Sequence, residues 1–586
     1  MRYHSLALAA AVSVALATPA LAGPTEDFHV LMDNYWSALL KNSPLTASSV
    51  GVSTYDKDLD VLSLAELDRQ AAEAAAFLKR LEAIPADSLS PADQSNRAIL
   101  KRALEAQITG NRFGQRQMLY STLGSFHANL GTMADNQPFR TRADYANYLE
   151  RLAKVPVRMR AYGEISAKAA REGFVQPCVT MGGFSNTVTT FVAADPTKST
   201  FYAPFAAPKP ESITVADWAQ MQARARDLIG GEVNQSYRDF AQLYDTELKG
   251  KCRQSVGVSE LPQGKEYYRW LVAQFTTTNL TPDQIHALGL KEVARIRADM
   301  DKVASKAGFA SRAAMIADMR SNPRFFVKTP EELLKATALV TKTIDGKMPS
   351  LFMRLPRLPY GIRPMAAATA PGDTTARYQP GSPDAGIAGY YLVNTTKLDQ
   401  RPLWEIPVLS VHEAVPGHHM QIATQQELDL PAWRKNTVFI TAFVEGWGLY
   451  SERLGIDLGL YDTPQKEMGR LSYQMWRACR LVIDTGLHSK GWSKAQAVAY
   501  MKDNSALTDA NIEAEINRYI SNPGQALAYK IGQMKIEELR ARAEKALGAK
   551  FDLRRFHDAV LGQGSVPMDA LEAQIDAWIA AEKAKS

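Results

Sequence analysis

Apolar side chains recur at intervals of three and four residues along most of this chain, and this period predicts a mainly α-helical protein. The pattern is clearest over residues 62–81 and 143–168, and each segment is predicted to form one amphipathic helix. Further helices are predicted towards the C-terminus over residues 494–501, 508–519, 525–545 and 568–584.

Polar residues mark where several of these helices begin. Ser63 and Thr214 are predicted N-caps, because a hydroxyl oxygen can accept a hydrogen bond from a free N–H group of the first turn. Thr281 precedes Pro282, and proline is favoured at the first position of a helix. The helix predicted to start there has apolar residues at Ile285, Leu288, Val293 and Ile296.

Two segments interrupt the helical pattern. Loop residues cluster at 206–212 and again at 355–384, and the longer stretch is predicted to be a loop that covers a functional region. Residues 389–394, Gly-Tyr-Tyr-Leu-Val-Asn, combine aromatic and β-branched side chains, which predicts a strand. The expected fold is therefore mainly α, with a small β element.

Composition and charge exclude one class of function. The 586 residues are 46% hydrophobic and 22% charged, as is usual for a globular protein. The formal net charge of +6 is too small and too scattered to indicate nucleic-acid binding. We expect one helical domain over residues 23–586, with a helical N-terminal part to about residue 350 and a catalytic part from 351 to 586.

The first residues determine the expected compartment. Arg2, an apolar run at 6–17 and Thr-Pro-Ala-Leu-Ala at 18–22 have the form of a signal peptide, with cleavage predicted after Ala22. A buried N-terminal helix is the alternative. No cysteine directly follows the cleavage site, and no later run of about twenty apolar residues occurs. We therefore expect an exported protein, periplasmic or secreted, with no stable membrane anchor.

The three cysteines are Cys178, Cys252 and Cys479. In an oxidising compartment we expect a Cys178–Cys252 disulfide, with Cys479 in the core, and the alternative is that no disulfide forms. Their spacing does not suggest a metal site with cysteine ligands.

Three of the nine histidines fall in the run His412-Glu413-Ala-Val-Pro-Gly-His418-His419. In zinc hydrolases two histidines bind the ion, and a glutamate beside one of them activates water. On an unbroken helix His412 and His419 would lie ~10 Å apart along the axis, too far for one ion. Pro416 disrupts a regular helix, so a local break must bring a second histidine back. His418 needs the shorter insertion and is favoured, with His419 as the alternative. Core histidines without a metal are the other explanation.

A third ligand is expected from residues 441–452, Thr-Ala-Phe-Val-Glu-Gly-Trp-Gly-Leu-Tyr-Ser-Glu. Glu445 and Glu452 are seven residues apart and can share one helix face, and the glycines between them permit close packing. We expect Glu445 to complete a two-His-one-Glu site for one zinc ion per chain, and Glu452 to orient a ligand histidine. An exposed helix with two solvated carboxylates is the alternative.

A polar stripe follows on an otherwise apolar helix, where Arg477, Arg480, Asp484 and His488 are spaced by three and four residues. Arg480 or His488 could bind a carboxylate of the substrate. The alternative is a buried structural network. Arg540, in a later helix, is another candidate for a carboxylate contact.

Together these runs resemble one family. The HExxPGHH run at 412–419, the Glu-Gly-Trp-x-Leu-Tyr-x-Glu run at 445–452 and the Tyr-x-x-Gly run at 529–532 are similar to the bacterial domain of unknown function 885 family. That family is grouped with the zincin-like metallopeptidases, near the thimet-oligopeptidase-like and carboxypeptidase branches. The resemblance covers most of the chain and implies long helices around a deep cleft, with a small β-sheet near the metal site. The Pro-Gly insertion departs from the standard zinc signature.

The resemblance also implies roles for individual residues. It implies that His412, Glu445 and either His418 or His419 bind zinc, and that Glu413 is the general base.

Related peptidases place an edge strand near the metal so that the substrate backbone can add to it, and Tyr390, Tyr391 and Asn394 match that strand. They also use a Tyr or His of a late helix to bind the oxyanion, and Tyr529 is the residue similar to it here.

The expected function is an exported zinc peptidase for short or unfolded peptides, of the oligopeptidase or carboxypeptidase type. Metal-activated water would attack the peptide bond, with Glu413 as the base. The alternatives are a zinc amidase that acts on cell-wall peptides, and a non-catalytic peptide-binding protein that retains the fold.

Overall fold

The structure is a computed structural model that describes residues 23–122, 126–367, 370–384 and 386–585. The predicted signal peptide at residues 1–22 lies outside the described residues. Among the described residues, no helix combines the length and the apolar character needed to cross a membrane.

Helices make up most of the described chain, which confirms the mainly α prediction. Those of the first part are α1 (Pro24–Asn42), α2 (Pro44–Ser49), α3 (Leu64–Glu82), α4 (Pro91–Arg112), α5 (Phe126–Gly131), α6 (Arg142–Leu152), α7 (Val155–Arg171), α8 (Phe184–Thr189), α9 (Ala203–Ala206), α10 (Val215–Leu228), α11 (Asn234–Leu243), α12 (Gly264–Thr276), α13 (Pro282–Lys306), α14 (Arg312–Ser321) and α15 (Pro330–Asp345).

The helices of the second part are α16 (Ile406–Glu413), α17 (His418–Glu427), α18 (Ala432–Thr437), α19 (Thr441–Asp457), α20 (Pro464–Ser489), α21 (Lys494–Asn504), α22 (Asp509–Ser521), α23 (Leu527–Leu547), α24 (Leu553–Leu561) and α25 (Met568–Ala584). The four predicted C-terminal helices correspond to α21, α22, α23 and α25, so their existence and approximate ends are confirmed.

The predicted N-caps are also confirmed. The hydroxyl groups of Ser63, Thr214 and Thr281 accept backbone N–H groups in the first turns of α3, α10 and α13. These local hydrogen bonds fix where the helices begin, independently of how the helices pack.

The prediction of one helix over residues 143–168 is wrong. The segment forms α6 and α7, which are separated at Ala153 and Lys154. Pro156 lies in the first turn of α7, where its missing N–H group is tolerated. It therefore starts a second helix instead of continuing the first.

Three strands form one small mixed sheet: β1 (Tyr360–Pro364), β2 (Ala376–Gln379) and β3 (Gly389–Val393). Their order is β1-β3-β2, with β3 parallel to β1 and antiparallel to β2. The strand predicted over 389–394 is confirmed as β3. The prediction that residues 355–384 are a loop throughout is wrong, because the segment contains β1 and β2. These two short strands are stabilised by pairing with β3, which a pattern within the segment does not show.

One hydrophobic cluster joins the first helices to the last. It contains Phe28 of α1, Leu100 of α4, Trp447 of α19 and Ile575 of α25. A second cluster packs α13 and α20 against the sheet, and a third lies among α5 to α11. The first cluster therefore contains residues from both sides of position 350. The expected division into two parts does not correspond to a gap in packing.

Cys178 and Cys252 form a disulfide, and Cys479 is buried in α20, as expected. Backbone hydrogen bonds flank the disulfide: Cys178 donates to the Arg253 carbonyl at 2.8 Å, and Arg253 donates to the Gln176 carbonyl at 3.0 Å. The bridge ties the segment after α7 to the segment before α12.

Helices α19 and α23 approach each other so closely that only glycine fits between them. A Cβ atom on Gly532 would lie 1.8 Å from the carbonyl oxygen of Ala442, and one on Gly446 would lie 2.6 Å from the Cα atom of Gly532. The crossing brings the segment that carries Glu445 next to the segment that carries Tyr529.

Replacing Gly532 with Ala is expected to destabilise the protein by about 1–3 kcal/mol, because the new methyl group forces the two helices apart. The same change in an uncrowded helix stabilises by roughly 0.5–1 kcal/mol. Thermal unfolding followed by circular dichroism measures the difference. Gly346→Ala is the control, since its backbone is helical and the nearest atom to its Cβ would lie 3.8 Å away. An unchanged melting temperature for Gly532→Ala would contradict the close crossing.

Candidate metal centre

The helix that carries the histidine run is broken. Helix α16 ends at Glu413, and α17 begins at His418. Between them, Ala414 and Gly417 have ψ angles of −112° and −127°, outside the helical region. Gly417 is confined, since a Cβ atom there would lie 1.9 Å from the carbonyl oxygen of His412. The Pro-Gly insertion thus coincides with the local break that a metal site requires.

The break brings His412 and His418 together with Glu445 of α19. The Oε2 atom of Glu445 lies 3.3 Å from Nε2 of His418 and 3.6 Å from Nε2 of His412. One ligand atom from each of the three residues lies within 4.8 Å of the others. The two imidazole rings are nearly perpendicular, at 82°.

The two separations that involve Glu445 match those expected around a zinc ion. Ligand atoms bound to tetrahedral zinc at about 2.1 Å lie ~3.4 Å from one another, close to the two measured separations. Oε2 of Glu445 and Nδ1 of His418 make no hydrogen bond to any described residue. Buried polar atoms are rarely left in this state. A metal ion would use the Glu445 oxygen as a ligand.

His412 is oriented by a buried row of charged side chains. Its Nδ1 atom lies 2.9 Å from Oε1 of Glu452, so Nε2 faces Glu445. Arg477 of α20 approaches the same Glu452 oxygen at 3.1 Å, and its guanidinium lies 4.1 Å from the ring centre of Trp476. In a neutral His412 ring the hydrogen bond to Glu452 keeps the proton on Nδ1, so the Nε2 lone pair is free to bind a metal.

His419 lies outside the cluster. Its Nδ1 atom is hydrogen-bonded to the hydroxyl group of Tyr378 on β2 at 2.9 Å, and its ring packs 4.7 Å from the ring of Tyr360 on β1. Burial lowers the pKa of His419 to about 4, so the ring is neutral. Of the two candidates for the second ligand, the structure brings His418 to His412.

The charges of the cluster are strongly coupled. Burial alone would lower the pKa of His412, but contacts with Glu445 and Glu452 outweigh it and raise the pKa to about 9. Burial would also raise the pKa of Glu445, but the charge of His418 and contact with His412 hold it well below its usual value. A proton on His412 therefore occupies the cluster at neutral pH, and a metal ion would have to displace it.

The two predicted catalytic groups flank the cluster. Glu413 is buried at the end of α16, and its charge acts on the neighbouring His412. Tyr529 lies in the first turn of α23, where burial and then the charge of Glu445 raise the pKa of its phenol. The Tyr529 hydroxyl consequently keeps its proton at neutral pH and can donate a hydrogen bond.

The prediction that His488 contacts a substrate is wrong. The side chain is completely buried; Nδ1 accepts the backbone N–H of Val258 at 3.0 Å, and Nε2 lies 3.0 Å from the carbonyl oxygen of Tyr519. Burial lowers the pKa of His488 to about 4, so the ring is neutral. Both nitrogen atoms are used in joining α20 to its neighbours.

Arg480 belongs to the buried network that was the alternative to a substrate contact. It donates hydrogen bonds to Glu515 at 2.9 Å and to the hydroxyl group of Tyr519 at 2.8 Å. Its guanidinium carbon also lies 4.1 Å from the ring centre of Tyr529. Because Arg480 is only 2% exposed, the expectation that it binds substrate directly is wrong, and its contact with the site runs through Tyr529.

The expectation that β3 is an edge strand is also wrong, because both of its sides are paired with other strands. Tyr391 is buried in the core, and the ring of Tyr390 is half-buried beneath Arg363 at 4.1 Å. Asn394 is completely buried, and its amide group donates hydrogen bonds to the carbonyl groups of Ala370, Asp373 and Thr374. Tyr391 and Asn394 are therefore structural and do not reach a substrate.

The partner of Arg477 and the role of Tyr378 do not follow from the patterns in the sequence. The spacing places Arg477 only in a polar stripe, whereas in the structure its guanidinium contacts Glu452. A signal was available, since a buried glutamate on an apolar helix needs a cation and the next apolar helix carries Arg477. No comparable signal marks Tyr378, because it lies in a strand that was predicted to be a loop.

Comparisons with known proteins place the chain among bacterial relatives. A family model described as "Bacterial protein of unknown function (DUF885)" matches residues 44–575. A "putative lipoprotein" from Colwellia psychrerythraea is 26% identical and superposes with a TM-score of 0.88, over 95% of this chain and 100% of its own. A "putative lipoprotein of unknown function" from Shewanella oneidensis is 20% identical and shares the fold. It superposes with a TM-score of 0.69, over 93% of this chain and 99% of its own. No curated protein sequence matches significantly.

Replacing Gly448 with Ala is expected to weaken zinc binding about tenfold or more, because the ring of His412 has no room to stay in place. A Cβ atom at this position would lie 2.8 Å from Cε1 and 3.1 Å from Nε2 of His412. Titration against a competing chelator measures the affinity. Gly182→Ala is the control, since its Cβ would meet no atom within 4 Å. Equal affinity in the two variants would show that the ring is not confined by α19.

Zinc binding between pH 7 and 8 is expected to release about one proton from His412, whose pKa is raised to about 9. Raising the pH removes the competing proton, so the affinity should increase about tenfold per pH unit until the pH passes that value. Calorimetry in phosphate and in Tris, which differ in heat of ionisation, counts the protons. Glu452→Gln should reduce the release, because it removes one of the charges that hold the proton. The same heat in both buffers would contradict this prediction.

Proposed function

This chain belongs to the DUF885 family of bacterial proteins, and we propose that it is a zinc-dependent peptidase. The observation that carries the proposal is the convergence of His412, His418 and Glu445, with one ligand atom of each within 4.8 Å of the others. Two histidines and one carboxylate leave a fourth position of tetrahedral zinc open, as in catalytic zinc sites. Glu413 follows directly after the first of these ligands.

The proposed chemistry is hydrolysis of a peptide bond. A zinc ion held by these ligands would polarise the scissile carbonyl group and lower the pKa of water. Glu413 accepts a proton from the attacking water and delivers it to the leaving amine. Tyr529 donates a hydrogen bond from its protonated hydroxyl to the carbonyl oxygen as that oxygen gains negative charge.

We assign the alignment of the substrate to β2 instead of β3. As an outer strand of the sheet, β2 offers an edge to which an extended peptide can add. It carries Tyr378, whose hydroxyl group holds His419, the residue directly after the ligand His418. A peptide on β2 is therefore positioned relative to the metal ligands through this hydrogen bond.

The architecture that we propose is a zincin-like body with the site at the base of a cleft. His412 and His418 are almost completely buried, and the side chain of Glu445 is 18% exposed. The surface of a folded protein could not reach ligands at this depth. Short or unfolded peptides are the substrates that fit, as in oligopeptidases and carboxypeptidases.

We also propose that the protein is exported. The sequence predicts a signal peptide ending at Ala22, and the Cys178–Cys252 disulfide is typical of an oxidising compartment. The similar structure from Colwellia psychrerythraea is described as a "putative lipoprotein", and bacterial lipoproteins are exported.

Glu413→Gln is expected to reduce peptide hydrolysis by about a hundredfold or more, because an amide cannot accept the proton of the attacking water. Zinc content should stay at one ion per chain, since Glu413 is not a ligand. A peptide library analysed by mass spectrometry measures the first quantity, and metal analysis measures the second. Glu331→Gln, at an exposed glutamate of α15, is the matched control.

His412→Ala is expected to lose both the zinc ion and the activity, whereas His29→Ala, at a half-exposed histidine of α1, should lose neither. Full binding of zinc by His412→Ala would overturn the assignment of the site. A wild-type protein that holds zinc but cleaves no peptide would overturn the proposed peptidase function and favour a binding protein.

A further inference from the structure

Two arginines lie against the ring of Tyr529. The guanidinium carbon of Arg480 is 4.1 Å from the ring centre, and that of Arg518 on α22 is 5.8 Å away. They share one carboxylate, since the Nη2 atom of each lies 2.9 Å from Oε2 of Glu515. Two positive groups therefore face a single negative group beside a predicted catalytic residue.

The carboxylate of Asp484 does not balance the excess positive charge of the two arginines. Asp484 accepts hydrogen bonds from the Tyr268 hydroxyl group at 2.6 Å and from the Gly524 backbone at 3.1 Å. Burial raises the pKa of Asp484 to about 7, so it carries only part of a negative charge at neutral pH. Buried charges are normally compensated, so an excess positive charge favours an anionic ligand.

Of the two arginines, only Arg518 reaches water. Its side chain is 23% exposed, whereas Arg480 is 2% exposed and its Nη1 atom has no hydrogen-bond partner among the described residues. Nη1 of Arg518 donates to Oε1 of Gln525 at 2.6 Å, and the Gln525 amide in turn acts on the Tyr529 hydroxyl group. Arg518, Gln525 and the largely buried Tyr529 are thus linked by hydrogen bonds.

We propose that Arg518 binds the C-terminal carboxylate of the peptide, so that the protein removes residues from the C-terminal end of its substrates. This inference rests on the proposed peptidase function. It identifies the substrate class as peptides with a free α-carboxylate near the scissile bond.

The assignment depends on the proximity of Arg518 to Tyr529. Tyr529 contacts the scissile carbonyl group, and one further residue places the terminal carboxylate about 3.8 Å beyond it. The guanidinium carbon of Arg518 lies 5.8 Å from the centre of the Tyr529 ring, so the two side chains can contact adjacent groups of one substrate. The carboxylate replaces the neutral oxygen of Gln525 as the acceptor for Nη1, because a charged acceptor forms the stronger hydrogen bond. Arg480 stays buried and keeps the ring of Tyr529 in place.

The test uses full-length mature protein with Glu413→Gln, loaded with zinc, so that binding is measured without cleavage. Fluorescence anisotropy compares an N-terminally labelled pentapeptide acid with the same peptide as its C-terminal amide. The acid should bind about 10- to 100-fold more tightly, which is the usual effect of one charged hydrogen bond. Adding Arg518→Met should remove that preference by weakening the acid alone, and Arg518→Lys should retain part of it.

Arg542→Met is the matched control, because Arg542 lies in an exposed ion-pair network on α23. Added to the Glu413→Gln protein, which is the parent protein of this test, it should leave the binding of both peptides unchanged. Thermal unfolding of the Arg518 variants confirms that they are folded. Equal binding of acid and amide by the parent protein would overturn the inference, and so would a loss in Arg518→Met that affects both peptides equally.

Hydrolysis by the protein with an intact Glu413 separates this inference from the proposed function. Stepwise loss of residues from the C-terminus of the acid, with little cleavage of the amide, supports both. A preference for the acid in binding without any cleavage supports carboxylate recognition and overturns the peptidase proposal. Cleavage of acid and amide at equal rates supports the peptidase proposal and overturns the role of Arg518.

Discussion

Two carboxylates on α19 are largely shielded from water, and the surrounding helices supply the charges that compensate them. Glu445 meets the imidazoles of His412 and His418, and Glu452 meets His412 and Arg477. A buried carboxylate without a partner costs several kcal/mol, so these contacts constrain α16, α17 and α20 around α19. The candidate metal site is thus also the place where the charges of four helices are balanced.

Glycine makes this arrangement sterically possible. Gly448 leaves room on α19 for the ring of His412, and Gly446 lets α23 pack directly against the backbone of α19. The same helix therefore sets the position of the metal ligands on one face and of Tyr529 on another. A shift of α19 would therefore displace both the metal ligands and Tyr529.

Features that depend on neighbouring residues are predicted correctly from the sequence. Features that depend on contacts with distant residues are not. Helix starts such as Ser63 depend on nearby backbone groups, and the spacing of Glu445 and Glu452 follows from helix geometry, so both are predictable. Strands β1 and β2 were missed because they depend on pairing with β3. His488 was misjudged because one of its partners, the backbone of Val258, is 230 residues away in the sequence.

The cluster that joins α1 to α25 limits the order in which the chain can fold. Phe28 and Leu31 share their core with Val560 and Ile575, so the first helix cannot complete its packing until the last residues have been synthesised. Contacts between such distant segments also form slowly, since a long stretch of chain must be closed. The part of the core that contains α1 and α25 is therefore completed only when synthesis ends, whereas the cluster formed by residues 120–248 can form while the rest of the chain is still being made.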